Sequence, residues 1–255
     1  MITITITNRK GGTGKSTVAV NLSAEFSARG KKVLLIDLDT QGHSTVGVGF
    51  EYRKGNSNIH SIFSDQSVEI EKLIHSTKWN NLFIAPADTM FEHSRAGEKR
   101  DILRQALKDS DFIKAFDFII IDTAPSLDNL LINALVASDY VLIPFLPHFL
   151  SIEGIKSLAR IFFKVASTEN PSLRLFGLIP IMVNLRIHQH SKVTSSLSTG
   201  FGKEKMLPGI RNDIKIVEAF ENKMPLIYYA PTSRASADFK ILADELLKRI
   251  SSVKR

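Results

Sequence analysis

The chain has 255 residues, of which 44% are hydrophobic and 23% charged, as in an ordinary soluble globular protein. The absence of cysteine excludes disulfides, thiolate metal sites, iron–sulfur clusters and a cysteine nucleophile. The sequence has neither the pattern of a signal peptide nor an apolar run of about 18 residues. We therefore expect a cytoplasmic protein.

The net charge of +7 is unevenly distributed along the chain. Residues 151–255 contain 17 Lys and Arg against 9 Asp and Glu, whereas residues 1–150 contain 16 against 17. A basic half favours a polyanionic partner, such as nucleic acid or an anionic membrane surface. The alternative is a solvated surface that happens to be basic.

Short apolar runs alternate with segments of helical spacing. In chain order, the predicted strands are 2–6, 32–37, 81–87, 117–122, 140–145 and 175–183, and the predicted helices are 16–29, 95–108, 127–137, 152–166 and 235–250. Residues 39–58 and 197–211 are expected to be irregular, and Phe145, Phe149, Phe162 and Phe163 are expected in the core. This rhythm predicts one α/β domain, residues 1–255, with a doubly wound, mostly parallel sheet flanked by helices.

The loop after the first strand, TNRKGGTGKST (7–17), has the composition and context of a phosphate-binding loop. Its glycines, Gly11, Gly12 and Gly14, let backbone N–H groups turn inward around an anion at a helix N-terminus. Lys15 can reach the β- and γ-phosphates, and the Ser16 hydroxyl can take Mg²⁺. Position 9 is Arg instead of the glycine of the general pattern, and an additional lysine, Lys10, follows it.

Carboxylates follow two of the predicted strands. Asp122 ends FDFIIID and is expected to hold Mg²⁺ through water, with 124–126 as a loop that senses the γ-phosphate. VLLID ends at Asp37, and alternation predicts that Asp37 and Asp39 share a side. We expect Asp39 to orient the attacking water, with Asp37 in support and near the metal. Solvation of the strand end is the alternative for this pair.

These motifs together resemble the ParA/MinD family of P-loop ATPases, also called the deviant Walker A family. The resemblance lies in KGGTGKS (10–16), LLIDLDTQGHST (34–45), FIIIDTAPSL (118–127) and the block 210–246, which favours the ParA branch. The family more often has Pro where Thr40 stands. The resemblance implies an ATPase using ATP, ADP and Mg²⁺, with the loop residues, Thr13 and Thr17 included, around the nucleotide. It also implies a homodimer in which Lys10 reaches phosphates held by the other subunit, unless Lys10 is simply an exposed loop lysine.

The resemblance further implies adenine contacts and DNA binding. Asn184 matches a position near the base in relatives, although a turn asparagine is the alternative, and Pro231 is expected to pack there as well. ATP-bound ParA dimers bind DNA without sequence preference, which needs only phosphate neutralisation. The candidate residues, each with surface solvation as the alternative, are Lys203, Lys205, Arg211, Lys215, Lys223, Arg234 and Lys240. His188 and His190 are expected to be surface residues.

The function expected from the resemblance is ATP-dependent partition or positioning of a DNA or protein cargo on the nucleoid, with slow hydrolysis stimulated by a ParB-like or cargo-adaptor partner. Many plasmid relatives carry an extra N-terminal DNA-binding domain, whereas this chain starts directly on its first strand, so we do not expect sequence-specific autorepression. The alternative is a MinD-like membrane-cycling ATPase. Only SSVKR follows the last predicted helix, too little for an amphipathic membrane helix, so no stable membrane anchor is expected. Small-molecule ligases and kinases on this fold are not excluded by the sequence.

Overall fold

The computed structural model describes residues 1–52, 56–184 and 186–253, and these form a twisted sheet with helices on both faces. The seven strands of the described residues run in the order β3-β4-β2-β5-β1-β6-β7. All neighbouring pairs are parallel except β3–β4, which is antiparallel. The strands are β1 (Ile2–Ile6), β2 (Val33–Asp37), β3 (His75–Ser76), β4 (Leu82–Ala85), β5 (Phe118–Asp122), β6 (Tyr140–Phe145) and β7 (Arg174–Pro180).

Helices connect the strands and cover the two faces. They are α1 (Lys15–Ala28), α2 (His43–Gly47), α3 (Ser61–Ser64), α4 (Ile102–Asp109), α5 (Asp111–Lys114), α6 (Asn129–Val136), α7 (Phe149–Thr168), α8 (His188–Phe201), α9 (Ile214–Glu221), α10 (Leu226–Tyr229) and α11 (Arg234–Val253). Short 3₁₀ turns occur at Ile70–Leu73, His93–Ala96 and Lys203–Lys205. None of the helices in the described part of the chain has the length and apolar character needed to cross a bilayer.

The central strands are apolar at nearly every position because both of their faces are covered. Every residue of β1, β2 and β5 is buried. One face packs on α1 and α11 through side chains such as Phe26 and Phe239, and the other packs on α4 and α6 through Leu103 and Leu130. The predicted doubly wound α/β fold is confirmed, and the parallel order brings the carboxyl ends of β2, β5 and β1 to one edge.

Three predicted segments differ from the structure. The predicted helix 95–108 is divided into a 3₁₀ turn and α4, because Gly97 between them has φ of 62°, which a helix cannot accommodate. Helix α8 continues to Phe201, so the expected irregular segment 197–211 begins as helix. The segment 39–58 contains α2, which has a direct part in the site described below.

The expectation that four phenylalanines lie in the core is correct for two of them and wrong for the other two. Phe145 and Phe162 are buried, but Phe149 and Phe163 are 63% and 62% exposed. Helix α7 is amphipathic, and only one stripe of it can face the sheet. Phe163 therefore lies outside that stripe beside Phe162, with the two rings in edge-to-face contact at 5.2 Å between centroids.

Candidate active site

The loop between β1 and α1 is held in place by its own polar side chains. The amide of Asn8 donates to the carbonyl of Pro144 at 2.8 Å, and its oxygen accepts from the backbone N–H of Lys10 at 3.1 Å. The hydroxyl of Thr13 donates to the carbonyl of Lys10 at 3.0 Å. These bonds restrain the conformation of the loop backbone.

Glycine is required at two positions of this loop. Gly12 and Gly14 have φ of 70° and 68°, in the left-handed region. A Cβ on Gly14 would also lie only 2.5 Å from Cδ1 of Ile181. Gly14 directly precedes α1, whose first N–H groups have no partner within the helix and carry its positive dipole end. The sequence prediction of an anion-binding loop at a helix N-terminus matches this geometry.

The two lysines of the loop lie in opposite environments. Lys15 is only 6% exposed, whereas Lys10 is exposed together with Gly11 and Gly12. Burial lowers the pKa of Lys15, while the nearby carboxylates of Asp122 and Asp39 raise it. Lys15 thus belongs to the interior of its own site, and the Lys10 side chain extends from the rim into solvent.

Asp37 lies close to both Asp39 and Asp122. It is the register partner of Asp122 in the adjacent strand β5, and both residues are completely buried. Burial and the nearby Asp122 carboxyl raise the pKa of Asp37 to about 8, against hydrogen bonds from Thr45 that lower it. Thr45 donates to Asp37 Oδ2 from its backbone N–H at 2.8 Å and from its hydroxyl at 2.7 Å. Asp39, by contrast, lies on the cleft.

Asp122 is held by hydroxyl groups from two helices. Burial raises its pKa to about 6, while hydrogen bonds from Ser16 and Ser44 lower it. Ser44 Oγ donates to Asp122 Oδ2 at 2.7 Å, and the N–H of Thr123 donates to Oδ1 at 3.0 Å. Ser44 and Thr45 were missed by the sequence reasoning, although they belong to the quoted motif LLIDLDTQGHST. The sequence signal that could have identified them is the Ser-Thr pair a few residues C-terminal to Asp37 and Asp39.

A cleft of about 380 Å³ opens over the loop. Its rim includes Asp39 from the loop after β2 and Pro125 from the loop after β5, so the two adjacent strand ends converge on one space. The sequence reasoning did not predict that Gln41, Met182 and Phe220 also line it. The complete lining is Gly11, Gly12, Thr13, Gly14, Lys15, Ser16, Thr17, Asp39, Gln41, His43, Pro125, Met182 and Phe220.

The donor set suits a nucleotide with Mg²⁺. Hard oxygen ligands are what Mg²⁺ prefers, and the Ser16 hydroxyl already bonds the buried Asp122 carboxyl. Among the described residues no group of three or more His, Cys, Asp or Glu side chains could hold a metal ion by itself. Phosphate and water oxygens would complete the coordination of Mg²⁺ bound there with a nucleotide.

The two residues expected to contact adenine, Asn184 and Pro231, do not line this cleft. Asn184 lines a neighbouring groove with Arg211 and Asp238, and its backbone N–H donates to His190 Nδ1 at 3.2 Å. Pro231 is exposed just before α11. His188 is exposed and His190 half-buried, as expected for residues near the surface.

Most of the basic residues expected to bind DNA already form an ion pair or a hydrogen bond within the protein. Arg211 donates to both oxygens of Asp238 at 2.8 and 2.9 Å, and Arg234 lies 3.6 Å from Asp213. Lys203 and Lys240 are exposed, and neither belongs to an ion pair within the described part of the chain. The other three are engaged as follows: Lys205 with the carbonyl of Leu175, Lys215 with Glu218 and Lys223 with Glu51.

Comparison with known proteins agrees with this geometry. Residues 1–175 match the family model described as an AAA domain. The chain is 31% identical over 247 residues to the chromosome-partitioning ATPase Soj of Thermus thermophilus, covering 97% of this chain and 96% of that protein. A putative plasmid partition protein of Borrelia burgdorferi, solved with AMPPNP, superposes with a TM-score of 0.81 at 28% identity, over 97% of this chain and 99% of that one.

A third comparison extends the same fold to a second branch. The septum site-determining protein MinD of Pyrococcus horikoshii, solved with Mg-ADP, has a TM-score of 0.79 at 23% identity, over 100% of this chain and 98% of that one. At this identity the likeness concerns the fold. The family model over residues 1–175, the near full-length match to Soj and the geometry of the loop show that the chain belongs to the ParA/MinD family of P-loop ATPases.

Proposed function

We propose that this partition or positioning ATPase dimerises when it binds ATP with Mg²⁺, binds DNA without sequence preference, and hydrolyses ATP slowly until a ParB-like or cargo-adaptor partner stimulates it. In this proposal the dimer occupies the nucleoid, and hydrolysis releases it. The observation that carries the proposal is the contrast between the two loop lysines, buried Lys15 and exposed Lys10. A cation on the rim of one site is available to phosphates held by another subunit.

We assign to the residues the roles that their positions support. Lys15, between Asp39 and Asp122, binds the phosphates within its own subunit. Ser16 and Asp122, with Asp37 behind them, hold Mg²⁺, which when bound offsets the charge on the phosphate oxygens. The carboxylate of Asp39 borders the cleft and orients water. Its Oδ1 accepts from the N–H of Gln41 at 3.0 Å, which restrains the rotation of the carboxylate.

The nucleotide base needs a separate surface. The groove along Asn184 adjoins β7, and in our proposal Asn184 and Pro231 contact the base once nucleotide and partner subunit are in place. Met182, with φ of 52°, borders the cleft two residues before Asn184. An Asn184→Ala variant is expected to lose preference for ATP over GTP while keeping its phosphate affinity, measured by competition titration.

The test of the dimer proposal compares the two lysines. Lys10→Ala is expected to bind fluorescent ATP normally and to remain monomeric in sedimentation velocity with Mg²⁺ and ATP, while Lys15→Ala is expected not to bind the nucleotide. Arg9→Ala, which alters the adjacent exposed residue, is the matched control and is expected to dimerise. A Lys10→Ala variant that dimerises fully with ATP would contradict the proposed role of Lys10.

DNA binding is proposed to depend first on Lys203 and Lys240, the two candidate lysines that have no ion-pair partner among the described residues. Lys203→Glu with Lys240→Glu is expected to weaken the ATP-dependent mobility shift on random DNA strongly and to reduce the salt dependence of the binding that remains. Lys108→Glu with Lys114→Glu changes the net charge equally and is expected to keep the shift. Arg211, Arg234, Lys205, Lys215 and Lys223 then contribute less, because carboxylate or carbonyl partners already engage them. A full shift by the first variant would place the DNA surface elsewhere.

A further inference from the structure

A chain of hydrogen bonds joins the loop after β2 to the loop after β5. The Thr40 hydroxyl lies 3.2 Å from Nε2 of His93, and Nδ1 of the same ring contacts Oδ2 of Asp128. Ser126 Oγ donates to that carboxylate oxygen at 2.6 Å. His93 belongs to the 3₁₀ turn that follows β4. The hydrogen bonds therefore connect residues that follow three neighbouring strands, β4, β2 and β5.

The direction of these bonds follows from the charge of Asp128. Burial raises the pKa of Asp128, but hydrogen bonds from Ser126, from the N–H of Leu131 and from His93 hold it below its usual value. An ionised carboxylate only accepts, and so Nδ1 of His93 donates. In a neutral ring Nε2 is then the acceptor for the Thr40 hydroxyl. Both side chains of the pair are largely shielded, His93 at 34% and Asp128 at 17% exposure.

The two residues at the ends of this series of hydrogen bonds adjoin the cleft. Thr40 follows Asp39, and Ser126 follows Pro125, and both Asp39 and Pro125 line the space over the phosphate loop. The Asp39 turn is fixed internally by the bond from the Gly42 N–H to the Asp39 carbonyl at 2.8 Å. A tether at Thr40 therefore restrains the whole turn relative to the loop that carries Pro125.

We propose that His93 is a positioning residue, which together with Thr40 and Asp128 sets the separation of Asp39 and Pro125 across the cleft. This inference rests on the proposed role of Asp39 in orienting water. The tether acts on the hydrolytic step more than on nucleotide binding, since it touches none of the loop residues 10–17.

Single-turnover hydrolysis at saturating Mg²⁺ and ATP tests the tether. Thr40→Val keeps the shape of the side chain and is expected to lower the rate about fivefold, the effect of one hydrogen bond, with ATP affinity changed less than twofold. Thr40→Ser retains a hydroxyl and is expected to restore most of the rate. Thr199→Val, which removes an exposed hydroxyl bonded to the carbonyl of Ser195 on α8, is the matched control and is expected to match the wild type.

A double-mutant cycle tests whether the residues act as one unit. His93→Phe is expected to lower the rate at least as much as Thr40→Val, and the double variant is expected to lose no more than His93→Phe alone. Independent, multiplying losses would overturn the proposal, as would a Thr40→Val variant with the wild-type rate. Equal losses of rate and affinity that Thr40→Ser does not rescue would also overturn it.

A spectroscopic measurement separates this inference from the proposed function. The ¹⁵N chemical shifts of the His93 ring in nucleotide-free protein are expected to report a single tautomer with the proton on Nδ1, and Thr40→Val is expected to change the Nε2 shift. A ring whose Nε2 shift is insensitive to Thr40→Val would overturn the tether whatever the activity. If Asp39→Ala keeps the wild-type rate while the shifts behave as expected, the proposed role of Asp39 fails and the hydrogen-bonded chain stands.

Discussion

Asp37 and Asp122 are paired residues in the neighbouring parallel strands β2 and β5, and both are completely buried. Two ionised carboxylates at one buried point repel each other, and the raised pKa values of about 8 and about 6 reflect the cost of charging them there. A divalent cation would offset that cost. The pair therefore supports the proposal that these two carboxylates hold Mg²⁺ at the sheet edge beneath the phosphate loop.

Asp122→Asn is expected to weaken the binding of Mg²⁺ to the site. The variant keeps the size of the side chain and an oxygen for Ser44, but loses the charge, and we expect about 10- to 100-fold weaker Mg²⁺ affinity. The measurement is a Mg²⁺ titration of ADP binding followed by calorimetry. Asp111→Asn, on the exposed helix α5, is the matched control. A wild-type titration curve for Asp122→Asn would exclude Asp122 from metal binding.

Asp39→Ala is expected to separate hydrolysis from binding. The variant retains Lys15, Ser16 and Asp122, so it should bind ATP and form the ATP-dependent dimer, while its hydrolysis rate falls by at least about 100-fold. The rate is measured by phosphate release and the dimer by sedimentation velocity. Glu92→Ala, an exposed acidic residue at the start of the 3₁₀ turn, is the control. Normal phosphate release by Asp39→Ala would contradict its role in orienting water.

Gly47→Ala is expected to disturb the helix that supports the carboxylates. A Cβ at this position would lie 2.8 Å from Cε1 of Phe220 and 2.9 Å from Cγ2 of Val20. Overpacking of this kind costs about 2 kcal/mol, or roughly 6 °C in Tm for a chain of this size. Differential scanning calorimetry measures the loss, and Phe220→Leu in the same background is expected to recover part of it.

The matched control for that helix substitution is Gly154→Ala. Gly154 lies within α7, and a Cβ there would meet nothing within 4 Å. The added methyl group is therefore expected to leave Tm unchanged or to raise it slightly, because alanine is the better helix former. If Gly47→Ala were as stable as Gly154→Ala, the contact of α2 with Phe220 would not be tight.

His60 is expected to make the protein sensitive to acid. Burial lowers the pKa of His60 to about 4, and its Nδ1 accepts from the N–H of Asp88 at 3.0 Å. The folded state therefore binds a proton less readily than the unfolded state, and stability is lost as pH falls from about 6.5 towards 4. Between pH 7.5 and 5.0 this residue alone removes about 2 kcal/mol from the free energy of unfolding.

Urea unfolding at the two pH values measures this effect. His60→Asn keeps an acceptor for the N–H of Asp88 and cannot be protonated. Only the wild type is therefore expected to lose this contribution at low pH, so that the difference in unfolding free energy between the two proteins is about 2 kcal/mol smaller at pH 5.0 than at pH 7.5. His188→Asn replaces an exposed histidine and is the matched control. Parallel pH profiles for the wild type and His60→Asn would show that His60 is not the acid-sensitive group.

The phosphate loop and the strand-end aspartates could be predicted from the sequence because their chemistry is local. A strand, a glycine-rich turn with left-handed glycines and a helix N-terminus follow one another directly, so spacing alone describes Lys15 and Ser16. The break in the predicted helix 95–108 depends on the backbone of Gly97, and the exposure of Phe149 and Phe163 depends on which stripe of α7 meets the sheet. Neither follows from periodicity.

The sequence by itself determined the fold class, the family and the anion-binding loop, because buried parallel strands and loop glycines leave patterns that short-range spacing reveals. Only the tertiary structure decided which groups meet. Strand order placed Asp37 against Asp122 across 85 residues of chain, brought Ser44 onto that carboxyl, and let His93 bridge Thr40 and Asp128. Contacts between separate segments depend on sheet order and register, and no local pattern encodes them.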